Sequence, residues 1–323
     1  MRYALGIDLG GSSAKIALVA ESGQIQAEEQ VATPETGDAA TVLAPLGARV
    51  DRLRSLAARQ GLPVAALGCG FSGYLDPTGT TIEQNNTPAL NGFALASWLQ
   101  QRFGLPVALD NDACVAAFAE TRLAAPGTHH RVLFVTVGSG IGVVLVVEGE
   151  IVRIMKGVTG DASHIIVDPA SQERCPVGCT GCLETVATAR ALARAGRQAA
   201  REGRSPALAR LLDETGEVNG AAVSRAALAG DHVARDILIE AGRWLGVGLA
   251  GWACIYAPDL VLLGGAVAQA GDDWFQSAVT TMRRVGMPLS VARLVVARAT
   301  LGNRAGMIGA ALLALRDGTL SGG

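Results

Sequence analysis

The sequence predicts an α/β protein of two lobes facing one cleft, and three observations carry that prediction. From Tyr3 to Val19 an apolar run, a Gly/Ser turn and a second apolar run follow one another, and the same plan returns from Arg131 to Val147. The repetition is architectural and points to a duplicated fold. Elsewhere the apolar spacing changes to the helical period, as at residues 43 to 60. A chain of 323 residues, 50% hydrophobic, is also long enough for two domains with sizeable cores.

The bulk properties exclude several classes. A net charge of −2 provides no electrostatic attraction to nucleic acid or an anionic membrane. Lys15 and Lys156 are the two lysines among 27 lysine and arginine residues, a bias toward arginine. Six cysteines do not make a disulfide scaffold in a chain of this length, and Cys69, Cys114 and Cys254 sit in apolar contexts that read as core. A reducing cytoplasm is expected. Asp8 interrupts the N-terminal apolar run, which removes a signal-peptide reading. The uncharged run from Val132 to Val147 falls short of the ~20 residues that span a bilayer, so no transmembrane segment is expected.

In chain order, the first hairpin carries Asp8, Gly10, Gly11, Ser12, Ser13 and Lys15 at its tip, and the second carries Gly138, Ser139, Gly140 and Gly142. Glycine turns bare their backbone N–H groups, which suits phosphate oxygens, although most Gly-rich hairpins are only turns. Between them lie a helix over residues 43 to 60 ended by Gly61-Leu-Pro, a strand from Ala65 to Gly70, a helix from Ala94 to Phe103 and a strand after Pro106. That strand runs into Asp110-Asn111-Asp112 and an Ala-rich helix; these acids and amides are N-cap types, yet ligands collect at such strand ends. Farther on come a long Ala/Arg helix from Thr185 to Arg204, a polar region over residues 205 to 217, and helices over residues 219 to 230 and 231 to 256. A buried strand ending at Gly264-Gly265, a strand over residues 294 to 297, a terminal helix and a frayed end from Leu320 to Gly323 complete the chain.

His164, Cys175, Cys179 and Cys182 lie within about twenty residues of one another, spaced by Gly and Pro. Thiolates and an imidazole on tight turns suit a tetrahedral zinc. The plainer alternative is three small buried cysteines beside a satisfied histidine.

The order of these motifs resembles the ROK family (repressors, open reading frames, sugar kinases) over essentially the whole chain. Asp8-x-Gly10-Gly11-x-x-x-Lys15 matches its first phosphate loop, Asn111-Asp112-Ala113 its catalytic motif, and His164 with the Cys175 to Glu184 stretch its sugar and zinc signature. The resemblance implies two actin-like (ribonuclease H-like) α/β lobes with a cleft between them. The small lobe would be residues 1–115 plus the terminal helix at 305–323, and the large lobe residues 116–304 with the zinc knuckle. It implies an ATP-dependent sugar kinase with Mg2+ and a structural Zn2+, assembled as a homodimer, acting on a small-molecule sugar and needing neither nucleic acid nor membrane. Asp112 would be the general base. Gly73, Asn111, Asp161, His164 and Glu184 would meet the sugar. Asp8, Gly10, Gly11, Ser12, Lys15, Gly138, Ser139, Gly140, Gly264 and Gly265 would meet ATP, and His164, Cys175, Cys179 and Cys182 the zinc.

The chain departs from the family pattern at several places. Gly160-Asp161-Ala162-Ser163-His164 stands where Gly-Glu-x-Gly-His is usual, Ser72 replaces a Pro, and Ala89 replaces a sugar-holding Asn, with Asn85, Asn86 and Asn91 nearby. Val177 takes the place of the second Cys, and Cys179 follows two residues later. A non-catalytic sugar or nucleotide sensor, or an ATPase with a cysteine-bound iron-sulfur centre, are the alternatives on the same fold. A repressor would carry a helix-turn-helix ahead of the first phosphate loop, whereas the first strand here begins near Tyr3.

Overall fold

Two five-stranded sheets repeat one strand order. The computed structural model describes residues 1–34, 36–76, 81–85, 87–125, 129–154 and 159–317. Asn86, Lys156 and the end from Leu320 to Gly323 lie outside them, as do Gly157 and the last residues of the expected terminal helix. In chain order the elements are β1 (Tyr3–Leu9), β2 (Ser13–Ala20), β3 (Ile25–Ala32), α1 (Ala39–Arg59), β4 (Val64–Phe71), β5 (Gly73–Leu75), β6 (Ile82–Asn85), α2 (Leu95–Phe103), β7 (Val107–Asn111) and α3 (Asp112–Ala124). Then come β8 (Arg131–Val137), β9 (Ile141–Val147), β10 (Glu150–Ile151), α4 (Glu184–Ala187), α5 (Ala189–Arg201), α6 (Pro206–Thr215), α7 (Gly220–Leu228) and α8 (His232–Tyr256). The last are β11 (Leu260–Gly264), α9 (Asp272–Val285), α10 (Pro288–Val291), β12 (Val295–Arg298) and α11 (Ala305–Asp317).

The sheets run β3-β2-β1-β4-β7 and β10-β9-β8-β11-β12, so each has three successive strands followed by two that return by crossovers. β4 joins β1, and β7 joins β4, in parallel; β11 joins β8, and β12 joins β11, in the same way. The duplicated plan expected from the two hairpins is therefore present in the sheets. The chain forms two units, one of Met1–Thr128, Val146–Gly160 and Thr300–Gly323, the other of His129–Leu145 and Asp161–Ala299. Helix α3, placed by the sequence reading largely in the second lobe, has its apolar face in the core of the first unit with α11.

In the first unit the period-two alternation of β1 sets the layers. Leu5, Ile7 and Leu9 pack with Val42, Leu46 and Val50 of α1 and Leu99 of α2, while Ala4, with Ala17 and Ala66, faces Val115 of α3 and Ala311 of α11. Helix α1 starts four residues before the expected Leu43 because the Asp38 side chain accepts the Thr41 N–H at 2.9 Å and caps it. Helix α11 lies unusually close to the sheet: a Cβ on Gly6 would stand 1.8 Å from the Met307 carbonyl oxygen, and one on Gly68 1.8 Å from that of Ala310. Its start is fixed by the buried Glu120, whose carboxylate accepts the N–H groups of Thr300 at 3.0 Å and Leu301 at 2.8 Å. Gly68→Ala is expected to destabilise the protein by about 1–3 kcal/mol, since neither backbone can yield easily. An unchanged urea midpoint would contradict that close packing.

In the second unit α8 is the central helix. Gly242 and Gly246 bring α9 against it, where a Cβ would stand 2.3 Å from the Trp274 oxygen and 2.5 Å from that of Ala278. Three expectations change here. The single Ala/Arg helix is two, because the Thr188 hydroxyl accepts the Ala191 N–H and starts α5 after a break from α4. The polar stretch after Arg204 contains α6, capped by Ser205 with Pro206 in its first turn. Cys254, read as core, is exposed, on the outer face of α8 near its end. No helix among the described residues is long and apolar enough to cross a membrane.

Candidate active site

The first glycine turn joins β1 to β2. Asp8 and Lys15 are cross-strand partners, and Gly10 N–H donates to the Ser13 carbonyl at 3.1 Å, which closes the turn. That bond occupies Gly10, and leaves the N–H groups of Gly11 and Ser12 without a backbone acceptor among the described residues. Thr33 pins the turn from beside β3: its hydroxyl donates to the Gly10 carbonyl at 2.9 Å and its N–H to that of Ser12 at 3.0 Å. Burial raises the Asp8 carboxyl above its usual range and the Lys15 charge opposes that rise. Gly306 at the start of α11 is needed beside it, since a Cβ there would meet the Asp8 carboxylate at 2.8 Å.

In the same unit, β7 ends at Asn111 and α3 begins at Asp112. Asn111 is the N-cap: its Oδ1 accepts the Ala113 N–H at 2.9 Å, and its Nδ2 donates to the Gly73 carbonyl at 2.9 Å. Gly73 thus braces Asn111 through its backbone. Burial pushes the Asp112 carboxyl up to about 7, the charge of Asp8 adds to this, and the Ala113 N–H and Ser72 hydroxyl act against it. Asp110, 3% exposed, holds an ion pair with Arg153. Ala89 packs against the core of this unit, and Asn91 is exposed. Asn86 and the Asn85 side chain lie outside the described residues.

The second glycine turn, between β8 and β9, is closed by Gly138 N–H donating to the Gly140 carbonyl at 2.8 Å. Glu184 accepts the Ile141 N–H at 2.7 Å, and a Cβ on Gly140 would stand 2.8 Å from its Oε1. The residue expected at the sugar therefore also supports this turn. Gly265 has φ +87°, and a Cβ on it would stand 2.4 Å from the Val137 carbonyl oxygen. The Gly264-Gly265 pair and the Gly138 turn are thus neighbours at the C-terminal ends of parallel β8 and β11, where α/β sheets bind ligands.

The knuckle is assembled in the second unit. His164 Nδ1 lies 3.3 Å from Cys179 Sγ, 3.7 Å from Cys182 Sγ and 3.8 Å from Cys175 Sγ. All four donor atoms fall within 4.8 Å of one another. Tetrahedral zinc with sulfur at ~2.3 Å needs its sulfurs roughly 3.8 Å apart, so small adjustments would seat it. Cys175 N–H donates to the Cys179 carbonyl at 2.9 Å, and Gly178 at φ +100° turns the chain between them, which aims Cys179 inward. Val177 is 66% exposed and points away. Trp252 Nε1 donates to the Ala162 carbonyl at 3.2 Å and fixes the His164 loop, while Asp161 is exposed at its start.

The ROK family model matches residues 4–317. The chain belongs to the ROK family. This ROK protein is 32% identical over 324 residues to a glucokinase of Streptomyces coelicolor, covering 97% of this chain and 98% of that one. A crystal structure of a ROK family glucokinase from Streptomyces griseus in complex with glucose and AMPPNP is 32% identical, covers 97% of this chain and 99% of that chain, and has a TM-score of 0.82. A ROK family transcriptional regulator, described as a homolog of the E. coli MLC protein, is 26% identical with a TM-score of 0.85, covering 99% of this chain and 80% of that chain. The fold is the two-domain actin-like sugar kinase fold. Since kinases and a regulator share it, the function must be argued from the site residues.

The motif order found the two turns, the strand end, the knuckle and the Gly pair. It missed Thr33 and Arg153, each of which acts on a residue far away in sequence. Ser72, which departs from the family pattern, places its hydroxyl against Asp112.

Proposed function

We propose that this chain transfers the terminal phosphoryl group of ATP to a hydroxyl of a hexose or amino sugar, with Asp112 as the general base. The observation that supports it most is the Asp112 carboxyl, at the end of β7 and raised to about 7, where a base is most effective near neutral pH. Asp112 accepts the hydroxyl proton as that oxygen bonds to the γ-phosphorus and the bond to the bridging oxygen of ADP breaks. Asn111, Asp161, His164 and Glu184 orient the ring. The phosphates lie against the N–H groups of Gly11, Ser12, Ser139 and Gly140, with Gly10 and Gly138 holding the turns and Lys15 nearby. Gly264 and Gly265 admit the adenosine closely. When bound, Mg2+ would supply charge neutralisation at the phosphates, and Asp8 would help to hold it through water.

His164, Cys175, Cys179 and Cys182 suit zinc by donor type and spacing. Burial and the neighbouring sulfurs push the Cys179 thiol up to about 12, so a cation is what would let these sulfurs act together as thiolates. Ligation through His164 Nδ1 leaves Nε2 for a sugar hydroxyl. The role of such a zinc is structural.

A coupled ADP-release screen across hexoses and amino sugars, with metal content measured on the same sample, tests this reading. Sugar-dependent ADP release from a colourless, zinc-containing protein is expected. ADP release that ignores every sugar, or a coloured iron-containing protein, would count against it.

A further inference from the structure

The Arg153–Asp110 pair has no part in the roles assigned so far. Resting on the kinase reading above, we propose that Arg153 and Asp110 form a positioning pair, which holds the Asn111–Asp112 peptide in place and offsets the carboxylate charge beside the general base. Three N–H groups converge on Asp110: Arg153 Nη1 donates to Oδ1 at 3.1 Å, Arg153 Nη2 to Oδ2 at 2.5 Å, and Asn111 N–H to Oδ1 at 2.8 Å. A guanidinium fork on both oxygens of a carboxylate fixes its plane, which a single hydrogen bond does not. Because that carboxylate also holds the Asn111 N–H, its plane sets the peptide that leads into Asp112.

Arg153 is brought there by the short strand β10, paired to β9 at Glu150↔Val147 and Ile151↔Val146. Ile151 packs into the core beside α3 and α11, and the buried Thr159 hydroxyl donates back to the Val152 carbonyl at 2.9 Å. Residues 150–153 are thus anchored on one side to the core and on the other to the end of β7. The Arg153 side chain is 41% exposed, but the carboxylate it holds is buried, unlike that of a surface ion pair.

The charges around Asp112 give the pair a signed consequence. Asp8 of β1 faces it with Lys15 of β2 opposing, Ser72 follows β4, Asp110 ends β7, and the Cys114 thiol lies on α3. Arg153→Met leaves the Asp110 charge uncompensated, so ionisation of Asp112 becomes harder. Asp110→Asn removes a negative charge and keeps the positive charge of Arg153, so ionisation becomes easier. Arg153→Lys keeps the charge and loses the fork.

The test is the pH profile of kcat/KM, with kcat and both KM values measured at the plateau and thermal midpoints for each variant. For Arg153→Met the acid limb is expected to rise by roughly one pH unit, and for Asp110→Asn to fall by a similar amount. Arg153→Lys is expected to keep the wild-type limb and lose about tenfold in kcat, with KM for ATP unchanged. If Arg153→Met does not fold, the contrast between Arg153→Lys and Asp110→Asn carries the same sign. Limbs that stay in place, or move together, overturn the proposal and leave the kinase reading intact. A wild-type protein that phosphorylates no sugar overturns both.

Discussion

Asp112→Asn is expected to lower kcat for sugar phosphorylation by roughly 10²–10⁴-fold while ATP binds as before. Rapid-quench phosphoryl transfer and a nucleotide titration measure the two separately; near wild-type transfer would remove Asp112 from the role of base. The same carboxyl predicts the pH dependence. Since Asp112 must be ionised to accept a proton and its carboxyl is raised to about 7, kcat/KM falls as pH drops through that value. The effect on stability has the opposite sense. A carboxyl raised from 3.8 to about 7 binds a proton in the native state that the unfolded chain has released, so stability declines as pH rises between those values and is level above them. Asn has no such dependence. The thermal midpoint of Asp112→Asn relative to wild type should therefore climb from pH 4 to pH 7 and then stay constant, the mark of a residue kept for chemistry at a cost in stability.

Cys179→Ser is expected to empty the knuckle of zinc and to loosen the loop that carries His164. Serine keeps the size and the turn but is a poor zinc ligand, so metal analysis should fall well below about one zinc per chain. KM for the sugar should rise more than KM for ATP, because His164 Nδ1 is 3.3 Å from this sulfur while the Gly138 turn is held by Glu184. Val177→Ser, at an exposed position, should alter neither zinc content nor KM. Full zinc occupancy in Cys179→Ser would refute the ligand set.

The legible parts of the fold were those whose information is local. The two hairpins show as a change of period around glycines, and the knuckle as residue types on tight turns. Strand β3 is hard to read because Glu29 interrupts the half-buried face that Ile25, Ala27 and Val31 would otherwise mark. Helix α9 was missed although Trp274, Ala278 and Met282 are spaced by four, since Asp and Arg occupy most of the other positions at its ends. At the site, residue identity pointed to Asp112 and the two turns, but not to the groups that hold them. Thr33 reaches Gly10 across 23 residues, and Arg153 reaches Asp110 across 43. Only the paired strands bring such partners together, and a threonine or arginine in a loop looks like any other.

Helix α11 also constrains the order in which the molecule can be made. It covers Gly6 and Gly68 on the first sheet, but it is synthesised after the whole of Asp161–Ala299. While the second unit is emerging, the face of the first sheet at Ala4, Ala17 and Ala66 has α3 but no α11 over it. At about 5–20 residues per second, that exposure lasts roughly ten seconds or more before the closing helix arrives. Strand β8 of the second unit likewise waits for β11, but that unit's last strand, β12, precedes α11. All the elements of the second unit are therefore synthesised before the first unit receives its last.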